Sequence, residues 1–196
     1  MDTISLQEKK VSEILKAVFP SAAFKLLDEC LSTQTAIRDE IRALPGRPYL
    51  VIARSQSDGA GRFGRKFHSP PGGLWFSFFV PSSLRLLDGN CAIEVASKIK
   101  DGLSLKLSVD VSTKEPNDIV TSDGRKLAGI IVTRIYSGSE CAGAVIGAGI
   151  NVNNDTDFDG VEAVSLSELT GGAVSIEAVL QVCLQSMASL VYDKEK

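Results

Sequence analysis

Histidine occurs once in this 196-residue chain, at His68, and its four cysteines (Cys30, Cys91, Cys141, Cys183) form no CxxC pair, so no zinc-ligand spacing exists. Scattered thiols of this kind read as reduced cysteines of a cytoplasmic protein. No stretch approaches the roughly 18 to 20 unbroken apolar residues of a membrane span. Residues 1–10 carry mixed charge and lack the apolar centre of a secretory signal. Charge is not gathered either: a formal net charge of -3 arises from interspersed acids and bases, which removes any global electrostatic case for nucleic acid or an anionic membrane. An anion site, if there is one, must be local. Repeats and low-complexity tracts are absent as well. What is present is ordinary globular composition, 44% hydrophobic and 23% charged. A chain of this length buries about 70% of its unfolded surface, so a single domain over 1–196 is expected.

Periodicity supplies the elements. Leu6, Val11, Ile14, Leu15 and Val18 fall at near-helical spacing and stop at Pro20, predicting a helix over 6–19. A short strand over 22–27 follows, then a helix capped by Ser32-Thr33 and running to about Ala43, ended by Pro45-Gly46 before a strand over 49–54. Residues 74–80 read as strand and 90–103 as helix. Leu105, Leu107, Val109 and Val111 alternate with polar residues and predict a half-buried strand. Two apolar, β-branched runs, 127–136 and 141–152, joined by Ser137-Gly138-Ser139, predict a hairpin whose apolar density places it centrally. Ile176, Val179, Leu180, Cys183, Met187, Leu190 and Val191, behind Ser175, predict a C-terminal amphipathic helix. The order implies an α+β fold, a mixed β-sheet covered by helices.

Three segments carry chemistry. Gln56 to Pro70 is a polar loop containing a GxGxxG in Gly59, Gly61 and Gly64. A dinucleotide loop must open a helix, and Ser69-Pro70-Pro71-Gly72-Gly73 prevents one, while no GK[ST] ending makes a P-loop. What remains is a loop whose glycines let backbone amides approach a ligand, with Arg62, Arg65 and Lys66 as cations for a carboxylate or phosphate. A solvated surface loop is the plain alternative. Lys114-Glu115-Pro116-Asn117-Asp118 and, after the turn Ser122-Asp123-Gly124, Arg125-Lys126-Leu127-Ala128-Gly129 bring cation, amide and carboxylate groups to the ends of neighbouring strands. Asp118 or Asn117 suits magnesium, and Lys126 suits a carboxylate or phosphate under attack; ordinary surface charge around a turn is the alternative. In the third segment, Val145 to Asn153, two glycines leave room against the backbone and Asn151 offers an amide.

Gly59-Ala60-Gly61-Arg62-Phe63-Gly64-Arg65, Lys114 to Asp118, Arg125 to Gly129 and Ile146-Gly147-Ala148-Gly149-Ile150-Asn151 resemble, in this order, the GRGRxGR, KWPND, RKLAG and IGxGxN patterns of the biotin protein ligase and holocarboxylase synthetase family. Leu31-Ser32-Thr33-Gln34 resembles its STN segment. The resemblance implies a catalytic domain of the class II aminoacyl-tRNA synthetase-like biotin/lipoate ligase fold, with ATP and Mg2+ as cofactors and biotin as substrate. By the same resemblance Ser32, Thr33, Gln56, Gly59, Gly61, Arg62, Lys126 and Gly129 meet biotin. Arg62, Arg65, Phe67, Lys114, Asn117 and Asn151 meet ATP, and Lys126, Arg62, Lys114 and Asp118 are catalytic, Asp118 also supporting the metal. The chain departs from the family pattern at Ala60, Phe67 and Glu115, where arginine, tryptophan and tryptophan are usual, and set against the family it is expected to have neither the N-terminal DNA-binding domain nor the small C-terminal β-domain of some relatives.

A carboxylate is a poor electrophile at neutral pH, so the implied chemistry has two steps: biotin and ATP give biotinyl-5'-AMP, and a lysine of a biotin carboxyl carrier protein or domain then displaces AMP. No enzyme nucleophile is required, and Cys30, Cys141 and Ser69 lack a partnered base; His68 reads as a surface or loop-packing residue. Nucleic acid and membrane are not expected partners, the cytoplasm is the expected location, and homodimer formation is left open. A lipoate or octanoate ligase and a non-catalytic biotin-binding homologue are the rival readings.

Overall fold

A computed structural model describes residues 6–61, 64–81, 91–157, 160 and 162–192. Helix α1 (Glu8–Val18) leads to strand β1 (Ala23–Cys30), helix α2 (Thr33–Ala43), and strands β2 (Tyr49–Gln56) and β3 (Leu74–Pro81). Helix α3 (Cys91–Leu107) precedes β4 (Val111–Lys114), β5 (Asp118–Thr121), β6 (Lys126–Ser137) and β7 (Glu140–Ile150); α4 (Leu166–Thr170) and α5 (Ile176–Tyr192) close the chain. The strands form one seven-stranded sheet in the order β1-β2-β3-β7-β6-β5-β4. Only β1 and β2 are parallel, because α2 crosses between them; every other neighbouring pair is antiparallel. The expected mixed sheet is thus present, with β7 of the predicted hairpin at its centre. The hairpin loop is only Gly138-Ser139, with Gly138 at φ 62°, the positive φ that a two-residue loop of this kind needs at its first position.

Side-chain alternation along the strands separates two cores. Leu74, Phe76, Phe78 and Val80 of β3, with Ile146, Ala148 and Ile150 of β7, face the larger core under α1, α3 and α5. Phe79, Val145, Tyr49 and Val51 face the other way, against Ile37 of α2. Helix α2 is short and covers only part of that face. Ser77 of β3, Gly147 and Gly149 of β7 and Gly129 of β6 have the parity of the α2 face, at and past the first turn of the helix, where small residues let side chains lie close on the sheet backbone.

The strand expected around 105–111 is not there. Residues 105–107 continue α3, and Ile99, Leu103 and Leu107 at i, i+4 spacing turn one stripe to the core while Leu105 is 88% exposed. Ser108 ends the helix at φ 56°, its amide bonded to Ser104 O. Val109 is buried in the connection, and only Val111 belongs to a strand. The alternation was a helix stripe seen over too short a window. Helix α4 escaped the periodicity reading, although Ser165 and Glu168 form a reciprocal capping box and Gly171 follows with φ 73°.

Candidate active site

The uncovered part of the α2 face is the floor of a cleft of about 540 Å³. One corner of it is uncharged. Ser32 caps α2, its hydroxyl accepting from Gln34 N at 3.3 Å. The next amide, Thr33 N–H, can only donate, and it does so to Gln56 Oε1 at 2.8 Å. This fixes the Gln56 amide: Nε2 turns the other way, donating to Ser69 Oγ at 2.7 Å, and Ser69 donates to Phe67 O at 3.2 Å. Behind Thr33 lies Ser77, fully buried, which accepts from Gln34 Nε2 at 3.1 Å and donates to Thr33 Oγ1 at 2.9 Å. Gly147 makes this possible, since a Cβ there would lie 2.1 Å from Gln34 Nε2. The predicted Ser32, Thr33 and Gln56 do line the cleft. Gln34, quoted in the STN-like segment but given no contact, also lines the cleft and completes their network with Ser77; Ser77 was not foreseen, and its available signal was a lone serine inside the otherwise apolar strand Leu74–Pro81.

The glycine loop is laced rather than open. Ser57 N bonds Cys30 O, Asp58 N bonds Leu31 O, Phe67 N bonds Gly59 O and Gly61 N bonds Arg65 O, at 2.7 to 3.0 Å. Gly59, expected at biotin, is buried away from the cleft lining; a Cβ on it would meet Phe67 O at 2.4 Å, so it lets the two limbs of the loop close. Gly61 and Arg65 do line the cleft, as do Lys66 and His68. Arg62 lies outside the described residues. The Phe67 ring rests on the bare backbone of Gly149, where a Cβ would come within 2.6 Å of it, and meets Trp75 edge-on at 5.9 Å.

Two residues along β7 from Gly147, about 7 Å by strand rise, the lining becomes charged. Lys126 opens β6 with its backbone pinned: its amide donates to Glu162 O at 2.8 Å, and its carbonyl accepts from Val164 N at 3.0 Å and Asn151 Nδ2 at 3.3 Å. Its ammonium stands 2.8 Å from Asp118 Oδ1 and 5.5 Å from the centre of the Phe67 ring. That oxygen is buried and takes no directed hydrogen bond, so the pair is held by charge. Asn117 and Asn151 line the cleft, but their amides brace the framework: Asn117 Nδ2 donates to Ile130 O at 2.8 Å, and Asn151 Oδ1 accepts from Asn154 at 3.1 Å. Lys114 and Glu115 form an exposed rim, and Gly129 lies beneath Lys126. Beyond Ala163, Glu168 is held below the usual carboxylate range. Burial works against this, and hydrogen bonds from Thr156 and Ser165, with the charge of Arg125, outweigh it.

The model of the biotin/lipoate A/B protein ligase family matches residues 28–151, which contain nearly all of this cleft. The chain belongs to that family. Among its curated members, the bifunctional ligase/repressor BirA of Bacillus spizizenii is 30% identical over 138 residues, 67% of this chain and 42% of that protein. The biotin--[acetyl-CoA-carboxylase] ligase of Paracoccus denitrificans is 30% identical over 146 residues, 70% of this chain and 60% of that one. The chain therefore spans about half the length of these relatives. A biotin protein ligase from Aquifex aeolicus, solved with biotin and ATP, superimposes with a TM-score of 0.67 at 26% identity, covering 85% of this chain and 68% of that one. The family fold expected from the sequence motifs is the fold observed.

Proposed function

We propose that this chain is an ATP-dependent biotin protein ligase, making biotinyl-5'-AMP and passing biotin to a lysine of a biotin carboxyl carrier protein or domain in the cytoplasm. The observation that carries this reading is a single cleft with an uncharged corner of interlocked polar side chains beside a lysine-bearing one. The first suits the ureido ring of biotin, which offers one strong acceptor and two N–H donors. The second suits its carboxylate and the phosphates of ATP. Relatives named as biotin ligases, and a neighbour solved with both biotin and ATP, support it further.

In the first step a biotin carboxylate oxygen attacks the α-phosphorus of ATP, forming the mixed anhydride as pyrophosphate leaves. Lys126 is the rigidly mounted cation at that point, aimed by its pinned backbone and by Asp118, and it stabilises charge growing on the carboxylate and phosphate oxygens. Lys114 and Arg65 stand on the lining for the outer phosphates, and Arg62 keeps the role that the motif resemblance implies. In the second step the carrier amine attacks the acyl carbon and AMP departs. Phe67 offers an aromatic face for the adenine, with its ring already packed on Gly149.

Asp118 is the residue that would hold magnesium. Among the described residues no group of three or more histidine, cysteine or acidic side chains could hold a metal by itself. Asp118 Oδ1 is already paired with the Lys126 ammonium at 2.8 Å, so an ion ligated mainly by phosphates would meet Asp118 at its other carboxylate oxygen. Bound there, the ion would neutralise phosphate charge.

The test is exchange of labelled pyrophosphate into ATP. Exchange that depends on biotin and not on lipoate is expected; exchange with lipoate alone selects the lipoate ligase, and none with either, with biotin still bound, selects a non-catalytic binder.

A further inference from the structure

The uncharged corner has a direction, and that direction names a cleft-lining residue, Gln34, that sets specificity through a hydrogen-bond relay. An amide nitrogen has no lone pair to offer, so Gln34 Nε2 can only donate to Ser77 Oγ. Ser77 has one hydrogen, which goes to Thr33 Oγ1 at 2.9 Å. Thr33 Oγ1 is therefore an acceptor on its inner side, and its own hydrogen has no acceptor among the described residues. Thr33 is 3% exposed and lines the cleft, so that hydrogen is available toward the ligand. Gln56 agrees in sense: its oxygen is committed to Thr33 N and one Nε2 hydrogen to Ser69 Oγ, leaving the other amide hydrogen to give.

We propose that Gln34 is a specificity-determining, positioning residue: through Ser77 it polarises Thr33 so that this corner presents donors and selects a ligand carrying a carbonyl acceptor over one carrying an N–H donor there. The inference rests on the biotin reading of the cleft. Its physical basis is that a hydrogen-bond chain through hydroxyls takes its sense from whichever end cannot reverse. A hydroxyl rotates freely, whereas the Gln34 amide lies close against the Gly147 backbone with its Nε2 turned to Ser77 at 3.1 Å. Ser77, fully buried, has no water with which to bond instead.

The probes are biotin and 2-iminobiotin, which differ at one atom: the ureido oxygen becomes a nitrogen bearing hydrogen, with a positive charge at neutral pH. Dissociation constants measured by calorimetry on the full chain should favour biotin by roughly 100-fold or more, as a donor facing a donor requires. In Gln34→Glu the introduced carboxylate can only accept, so Ser77 turns its hydrogen outward to it and Thr33 donates inward to Ser77. Thr33 then presents lone pairs to the ligand, and the preference for biotin should fall by about 10- to 100-fold.

A new negative charge would attract the iminobiotin cation with no relay at all, so the same substitution is made in a Ser77→Ala background. There the shift should shrink to a few-fold, since a cycle isolates what passes through Ser77. Gln34→Met, which removes the donor without adding charge, should lower the preference by about tenfold and serves if the carboxylate variant folds poorly. An unchanged preference in both Gln34 variants, or an equal shift with and without the Ser77 hydroxyl, overturns the relay while parental biotin binding still stands. A parent that binds neither probe overturns the biotin reading and the relay with it.

Discussion

The two corners of the cleft are built on opposite plans although they lie two residues apart along β7. In the uncharged corner every donor and acceptor that faces the protein is matched: Thr33, Gln34, Gln56, Ser69 and Ser77 hold each other at 2.7 to 3.1 Å. In the charged corner Asp118 Oδ1 is buried with no directed partner, and Lys126 is fixed at its backbone but only steered at its tip. A matched network resists change and so recognises a constant part of the ligand. An unmatched pair keeps capacity for charge that appears only during reaction. Binding and chemistry should therefore be separable by mutation.

The sharpest way to break that division is Lys126→Ala. Pyrophosphate exchange should fall by roughly 100- to 1,000-fold, the effect of losing one preorganised charge-stabilising group, with biotin affinity changed by less than about tenfold. Equal losses in both would merge the two corners into one. Gln56→Leu should do the reverse, leaving Thr33 N without its acceptor and Ser69 Oγ without its donor. Biotin should bind roughly 10- to 100-fold more weakly, while turnover at saturating biotin stays near the parent, measured by steady-state kinetics. Gly149→Ala tests the border between the corners: the new Cβ displaces the Phe67 ring, and the KM for ATP should rise by about tenfold while the biotin KM does not.

The smallest effect is a control outside the cleft. The Tyr49 hydroxyl is pushed up to about 12 by burial and by its hydrogen bond to Glu40. The raised value means that the folded state keeps a proton the unfolded chain gives up near 10. Its stabilisation is whole below pH 10 and is lost as pH climbs through 12. In urea melts over pH 9 to 12 the parent should lose stability more steeply than Tyr49→Phe. Parallel slopes would remove Tyr49 from the account of alkaline stability.

Legibility in the sequence followed the range over which each signal acts. The β6–β7 hairpin announced itself because both strands are long, β-branched and joined by a glycine turn, and Ile176–Tyr192 because its stripe repeats over 17 residues. Residues 105–111 misled because four alternating positions fit a period of two, while the helix reaching them was fixed by Ile99 and Leu103 packing below. The site divides similarly. Charged and glycine motifs were readable as local strings, whereas Ser77 reaches Thr33 across 44 positions of sequence and Gln34 meets Gly147 across the sheet. Asn117 and Asn151 show the converse: residues readable as ligand contacts have their amides bonded to the frame that positions Lys126. Arg62 lies outside the described residues, so its role rests on the motif alone.

The bare stretch of sheet under the cleft gives mutation only one direction in which to work. Every single-base change that replaces a glycine codon by another residue's codon adds atoms. At Gly147 and Gly149 the first added carbon would already collide with Gln34 or with the Phe67 ring. Drift at those positions can make the cleft shallower and never deeper. Room for a bulkier acid must therefore be opened from another wall, by trimming Ile131, which pairs with Gly147 on the same face, and lineages descended from this sequence should diverge in ligand size at that side chain while the glycines stay as they are.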